Sequence, residues 1–444
     1  MKIKLPKQVS YIIGELEKHG FEAYAVGGCV RDSILGRIPD DWDITTSAKP
    51  EQVKEIFQKT IDTGIEHGTV TVMIEREGYE VTTYRIDGEY EDSRHPKEVV
   101  FTSNLVEDLK RRDFTINAMA YSEKAGLVDV FDGIGDINRK RIRCVGKAKE
   151  RFSEDALRIL RAVRFAAQLK FQIEEETKEA IKELAVNLQN ISAERIQTEL
   201  VKLLVSQQPE RIREAYELGI TKVILPEFDA MMTCTQENIH HMYTVGEHTV
   251  QALVNIENDK VLRLAVLLHD VGKPEKKTMD EAGTAHFYGH AKRGAEIAKN
   301  ILKRLKFDND TLFKVVKLIE LHDNRPSLKK SSIRRLAVKS GTGLFDDLMQ
   351  VKRADTLAQS EYMREEKLAY LDQICELYQK IMEDQDCIQI KDLKINGNDL
   401  IKLGVPQGKK IGMILSEIFE MVLEEPEKNT KEYLIGYVKE QYID

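Results

Sequence analysis

Tryptophan occurs once in the 444 residues, cysteine five times and proline ten times. The cysteines (Cys29, Cys144, Cys234, Cys375 and Cys387) make no CxxC pair and follow no framework spacing. That excludes a disulfide-stapled fold and a cysteine-built zinc site, and it fits a reducing cytoplasm. No apolar run reaches the ~20 residues that a membrane helix needs. The opening stretch MKIKLPKQVSYIIGELEKHG has no signal-peptide core, and its Ile12, Ile13 and Leu16 stand at the spacing of one amphipathic helix. Fixed-period repeats and low-complexity tracts are missing as well. Nor is positive charge in excess: the formal net charge of −8 argues against indiscriminate nucleic-acid binding. What is present, 42% hydrophobic and 32% charged residues, describes a soluble, globular, helix-rich chain long enough for roughly two to four domains.

The negative balance conceals a basic stretch. Between Arg139 and Arg164 stand Lys140, Arg141, Arg143, Lys147, Lys149, Arg151, Arg158 and Arg161, opposed only by Glu150, Glu154 and Asp155. Such a stripe either grips a phosphate backbone or is a solvated helix face. Up to about residue 122, helical and β-rich runs mix. GTVTVMIE (68–75) and YEVTTYRI (79–86) alternate β-branched and polar residues around a short turn, a hairpin signal. From about residue 150 helical periods take over, as in SEDALRILRAVRFAAQL and SAERIQTELVKLLV.

Residues 24–47, YAVGGCVRDSILGRIPDDWDITTS, bring glycines, an arginine and three aspartates close together. Asp41 and Asp43 are two apart, so on a strand they point to one side, and Asp40 to the other. Two such carboxylates suit magnesium, which would activate an attacking hydroxyl and stabilise a leaving pyrophosphate. Glu80, in the second strand of the hairpin, is a candidate third carboxylate. Gly27 and Gly28 follow an apolar strand-like run, where a turn lets phosphates approach backbone N–H groups. Arg31 stands one helical turn beyond Gly28, placed to neutralise a triphosphate. A tight turn before an acidic surface loop is the plainer reading of the same residues.

VGGCVRDSILGRIPDDWDI resembles the signature of the class II tRNA nucleotidyltransferase and bacterial poly(A) polymerase family, a branch of the DNA polymerase beta-like nucleotidyltransferases. The match continues through DLKRRDFTINAMAY (108–121), EDALRILRAVRF (154–165) and SAERIQTEL (192–200), in the family's order over the first 200 residues. The resemblance implies that Gly28 and Arg31 contact the nucleotide and that Asp41 and Asp43 hold the metals. It also implies that Arg112 with Asp113 recognises ribose and phosphate; on spacing alone that pair is an ordinary surface ion pair. The polar segment 84–101 resembles the flexible loop of members that add both C and A.

SEDALRILRAVRF is expected to form one helix with Ser153 as its N-cap. Asp155 and Arg158 are then neighbours on one face. Cytosine and adenine both present an amino donor beside a ring-nitrogen acceptor, which suits an aspartate beside an arginine. Uracil and guanine present a carbonyl oxygen there, leaving the aspartate unpaired. The simpler alternative is that Glu154 and Asp155 complement the helix dipole. The resemblance assigns base reading to Asp155 and Arg158, and nucleotide or RNA contacts to Arg161 and Arg164.

Seven of the ten histidines fall between His240 and His322. HTVQAL (248–253), LLHDVGKP (267–274), FYGHAKRGAEIA (287–298), LIELHDN (318–324) and KRADTLAQ (352–359) resemble the HD phosphohydrolase superfamily. That resemblance implies His248, His269, Asp270 and Asp355 as a first metal set, with His290 and His322 as the additional ligands of two-metal members. His240, His241 and His286 match no family position. Imidazole and carboxylate together suit magnesium or a transition metal.

The expected fold class is α+β: a polymerase-beta-like head with a small mixed sheet (1–137), then all-α neck (138–190), body (191–235), HD domain (236–360) and helical tail (361–444). The tail, with Lys402, Lys409 and Lys410 around a Gly/Pro break, resembles the family's C-terminal RNA-binding segment. The expected function is untemplated addition of C, C and A to the tRNA 3′ end from CTP and ATP, using Mg²⁺ in the head and a divalent metal of unspecified identity in the HD domain. The expected setting is the cytoplasm, without a membrane. The alternatives are A-only addition, a poly(A) polymerase, an HD phosphodiesterase or phosphatase with the head as an RNA-binding module, and a non-catalytic RNA-binding protein.

Overall fold

The computed structural model describes residues 2–87, 99–240, 242–341 and 343–443. Most of the expected flexible loop, 88–98, therefore lies outside the described residues, as does His241. The chain divides into two units, Met1–Asp229 and Ala230–Asp444. The expected head, neck and body thus share the first unit up to Asp229.

The first unit opens with α1 (Lys7–Lys18), whose Val9, Ile12, Ile13 and Leu16 are buried on one face. A seven-stranded mixed sheet follows, in the order β3-β4-β5-β2-β1-β8-β9. Its strands are β1 (Ala23–Val26), β2 (Ile44–Thr46), β3 (Thr60–Gly64), β4 (Thr69–Ile74), β5 (Glu77–Thr83), β8 (Met119–Ser122) and β9 (Gly126–Asp129). Between β5 and β8, the short pair β6 (Arg85–Asp87) and β7 (Val99–Phe101) forms a separate ladder. β4 and β5 are the expected hairpin, closed by Ile74 opposite Glu77 with Glu75 at φ 59° in the turn. β2 and β5 run parallel, Ile44 against Val81, and the other strand pairs of the sheet are antiparallel.

The further α-helices of this unit are α2 (Gly28–Ile34), α3 (Pro50–Ile56), α4 (Leu105–Lys110), α5 (Gly133–Asn138), α6 (Ala148–Glu154), α7 (Leu157–Leu169), α8 (Glu175–Leu184), α9 (Ala193–Leu204) and two short ones, Ile212–Glu217 and Thr221–Ile224. α7 buries most of its length, including Ile159, Leu160, Val163 and Phe165, and packs against α9.

One expectation fails here. SEDALRILRAVRF is not one helix, and Ser153 is not its N-cap. α6 runs through Ser153, whose hydroxyl donates back to the Lys149 carbonyl at 2.8 Å, and it ends at Glu154. Asp155 leaves helical geometry at φ −139°, and its Oδ1 accepts the Leu157 N–H at 3.0 Å, opening α7. An aspartate satisfies an orphan donor at a helix start better than a serine inside a preceding turn.

The second unit is helical, with one two-stranded ladder, Thr278–Met279 against Ala285–His286, among the described residues. Its tail contains the two helices expected around the Gly/Pro break, Gly397–Lys402 and Lys409–Glu424. Among the described residues no helix is long and apolar enough to cross a membrane.

Candidate active site

β1 ends at Val26, and the chain turns at Gly27 (φ 84°, ψ −130°) straight into α2. A Cβ on Gly27 would lie 3.1 Å from an Arg112 guanidinium nitrogen, so the turn needs glycine for both its backbone and its space. Asp41 and Asp43 do not lie on a strand, because β2 begins only at Ile44. They stand in the link leading into it, where the Asp43 carbonyl accepts the Val26 N–H at 3.0 Å and pins the link to β1. The parallel register of β2 with β5 then sets Asp43 beside Glu80, each one residue before the paired Ile44 and Val81.

These carboxylates perturb one another. Desolvation in the pocket floor is the largest influence on Asp43, although solvent still reaches its side chain; it raises the carboxyl, Asp41 raises it further, and Arg112 opposes. Glu80 is raised by desolvation and then by Asp43 and Asp41. Among the described residues no lysine, arginine or histidine nitrogen lies within 4 Å of any of the three carboxylates. Repelling acids without a cation of their own are the donor set that a hard divalent metal fits.

Beside them opens a cavity of about 570 Å³, bordered by Gly27, Gly28, Arg31, Arg112, Arg161 and Arg164. Arg31 donates to Asn117 at 2.7 Å and to both oxygens of Asp32. The Phe165 ring has the guanidinium carbons of Arg31, Arg161 and Arg164 at 5.0, 5.3 and 3.6 Å from its centre. Asp113 accepts from Arg161 at 2.6 and 2.9 Å and from Asn117 at 3.0 Å. Burial would raise its carboxyl, but Arg161 and Asn117 outweigh that and hold it well below the usual range. Arg164 is fixed by a buried pair with Glu199 on α9 at 2.7 Å. Arg112 lies 3.6 Å from Asp108, and its buried Nε makes no hydrogen bond.

Asp155 and Arg158 are near this network but do not border the cavity, and their side chains are not paired with each other. Asp155 Oδ2 accepts from Arg195 at 2.7 Å, while Arg158 donates to Glu154 at 2.7 Å and to the Arg111 and Arg151 carbonyls.

In the second unit the histidine set does converge. His248 Nε2 lies 2.8 Å from Asp355, His269 Nε2 3.2 Å from Asp270, and His290 Nε2 3.2 Å from His322 Nε2. Asp270 reaches both halves, 3.9 Å from His248 and 3.5 and 3.7 Å from His290 and His322. His269 Nε2 and Asp270 Oδ2 are buried without a well-aligned hydrogen bond, as metal-ligating atoms would be. Lys273 Nζ stands 2.7 Å from Asp270 Oδ2. His240 instead faces Tyr362, and His286 pairs with Asp280 at 2.9 Å.

Residues 23–143 match the poly A polymerase head domain family, and residues 278–438 match tRNA nucleotidyltransferase domain 2. A CCA-adding enzyme of Enterococcus faecalis is 35% identical over 438 residues, 98% of this chain and 96% of that protein. The chain belongs to the CCA-adding enzyme family. A CCA-adding enzyme of Lactobacillus delbrueckii subsp. bulgaricus is 54% identical over 200 residues, which is 45% of this chain and half the length of that relative. The crystal structure of the Bacillus stearothermophilus CCA-adding enzyme in complex with CTP superposes with a TM-score of 0.71 at 29% identity, covering 99% of this chain and 98% of that one. As a member of this family the chain is a nucleotidyltransferase, and the family depends on a divalent metal.

In this chain the arginines stand out in the sequence, but what holds them does not. Phe165, Asn117, Glu199 and Arg195 carry no motif chemistry of their own, and the contacts of Arg31 with Asn117 and Arg164 with Glu199 span 86 and 35 residues. SAERIQTEL was recognisable as a block, which was the one available signal for Arg195 and Glu199.

Proposed function

We propose that the chain adds C, C and A to the 3′ end of tRNA from CTP and ATP, releasing pyrophosphate, without a nucleic-acid template and in the cytoplasm. The observation that carries this reading is the joining of two opposite chemistries at one turn: an acidic set at Asp41, Asp43 and Glu80, and an arginine-bordered cavity beside it. Arg31, Arg112, Arg161 and Arg164 take the triphosphate, with Gly28 allowing the backbone of α2 to approach it. Asp113 sets the Arg161 fork and faces the ribose. Asp41 and Asp43, with Glu80 behind them, are the residues that would hold Mg²⁺. Bound there, the metal supplies charge neutralisation and lowers the pKa of an attacking hydroxyl.

The transfer forms a bond from the RNA O3′ to the α-phosphorus and breaks the bond from that phosphorus to the bridging oxygen. The electron pair leaves with pyrophosphate and the hydroxyl proton passes to water. Asp155 and Arg158 choose the base. Asp155 accepts from the amino group of C or A, and Arg158 donates to the ring nitrogen, once the incoming base displaces Arg195 and Glu154 from them. Transcripts ending before C, CC or the full CCA, offered CTP or ATP singly, test the reading. Addition of C to the first supports it; a chain that adds only A is an A-adding enzyme or a poly(A) polymerase.

The second unit holds its own divalent metal through His248, His269, Asp270 and Asp355, with His290 and His322 on the far side of Asp270. The buried, unbonded His269 Nε2 supports this. Elemental analysis of the purified protein, before and after His269→Ala, tests it; equal metal content in both would refute it.

A further inference from the structure

Three guanidiniums of the arginine-bordered cavity converge on one uncharged group, the buried ring of Phe165. Arg164 lies 3.6 Å from its centre, Arg31 5.0 Å and Arg161 5.3 Å, all within the ~6 Å over which a cation is drawn to an aromatic face. We propose that Phe165 is a positioning residue for nucleotidyl transfer: the negative face of its ring, rather than its bulk, holds these arginines in place to receive the triphosphate. The inference rests on the nucleotidyltransfer reading of the first unit and names the group through which its arginines act together.

Charge explains why a ring stands there. Each of the three already has a carboxylate: Asp32 for Arg31, Asp113 for Arg161 and Glu199 for Arg164. A further carboxylate among them would turn the cluster negative and repel a triphosphate. With those partners alone, the like charges would spread apart. The ring attracts all three and carries no net charge, so it opposes the spreading without weakening the pull on phosphate.

Hydrogen bonding points the same way. A guanidinium presents its N–H donors in its own plane, while an aromatic ring meets its flat side. Arg31 gives its Nε–H and one hydrogen from each terminal nitrogen to Asp32 and Asn117. Contact with Phe165 takes no donor from it, so the second hydrogen of each terminal nitrogen is kept for phosphate oxygens. The ring also joins separate elements. Arg161 and Phe165 are four apart on α7 and share a face, whereas Arg31 comes from α2. Phe114 meets Phe165 edge-on, with ring centres 5.8 Å apart and planes at 82°, and so fixes its tilt. The arginines are therefore ordered before a nucleotide arrives and lose little freedom when phosphate binds.

Fluorine separates the charge of the ring face from the shape of the ring. The full-length enzyme is made with mono-, di- or trifluorinated phenylalanine at position 165 alone, each fluorine weakening the negative face at nearly constant size. Equilibrium dialysis with Mg²⁺ and no RNA gives Kd for CTP and ATP. Steady-state addition to an RNA minihelix lacking CCA gives kcat and both KM values. We expect Kd for CTP and for ATP to rise together with each fluorine, to roughly tenfold for the trifluorinated ring, the worth of one desolvated cation–π contact. KM for the minihelix should stay level. Phe165→Leu should weaken nucleotide binding at least as much, and where that variant fails to fold the fluorinated series decides, because its members keep the ring. Nucleotide affinity that is flat across the series overturns the proposal, as does a loss equal for nucleotide and RNA. An enzyme that adds C with a flat series keeps its function and loses this assignment. A fluorine trend in an enzyme that adds neither C nor A supports the ring's role and sinks the function reading alone.

Discussion

Asp113 shows how one buried carboxylate organises the arginine-bordered cavity. Besides Arg161 and Asn117 it accepts the Phe114 N–H at 2.8 Å, so its charge is held by partners from two distant segments. Its carboxyl is held low in the folded protein, so the associated stability is fully present above the unfolded value near pH 4 and is lost as pH falls through the lower folded value. Asp113→Asn leaves the Arg161 guanidinium short of an anion and should cost about 3 kcal/mol at neutral pH. The gap between wild type and variant should narrow as the medium is taken below about pH 4, because the wild-type carboxyl then takes up a proton on unfolding. Urea titrations at about pH 7, 4 and 3 measure it. A gap independent of pH would mean that packing, not charge, makes Asp113 matter.

At the scale of elements, the turn from β1 into α2 and the break between α6 and α7 decide most of the site. Gly27→Ala places a methyl 3.1 Å from Arg112 at a φ of 84°, a strain of about 1–2 kcal/mol unless Arg112 moves. We expect KM for CTP and for ATP to rise together, several-fold, at unchanged preference between them, in steady-state assays. Arg195→Gln acts at the other element. It frees Asp155 Oδ2 from the 2.7 Å partner that an incoming base would have to displace, so kcat/KM for CTP should rise several-fold while that for UTP does not, and competition assays should show discrimination widened by that factor. These two elements also mark how much could be read in advance. The hairpin β4–β5 and the buried face of α1 followed from alternation and from the 3.6-residue period. Gly28, Arg31, Asp41 and Asp43 came from a motif compressed into twenty residues. The break at Asp155 did not, because EDALR reads as helix on both sides, and a side-chain cap with a partner forty residues away interrupts it. Asp41 and Asp43 border the cavity without the strand that was expected to align them; backbone pairing of Asp43 with Val26 does that work instead.

For the whole molecule, the division into Met1–Asp229 and Ala230–Asp444 has a thermodynamic consequence. Each unit has apolar side chains fully buried within it: Ile12, Leu16 and Phe152 in the first, Leu253, Ala265 and Phe345 in the second. Each also carries a separate candidate ligand set, nucleotide with Mg²⁺ in the first and the histidine-bound metal in the second. A ligand that binds only the folded state stabilises it by about 2.7 kcal/mol at a hundredfold excess over Kd. For units of this size that converts to roughly 5–10 °C in the unfolding midpoint. Calorimetric scans of the full chain should therefore contain a component that rises by this amount with CTP and Mg²⁺, and another that falls when a chelator strips the second unit without nucleotide present. His269→Ala should remove the chelator-sensitive shift and leave the CTP shift in place. If both ligands move one and the same transition, the two units unfold as a single cooperative block, and the candidate metal set of the second then contributes to the stability of the first.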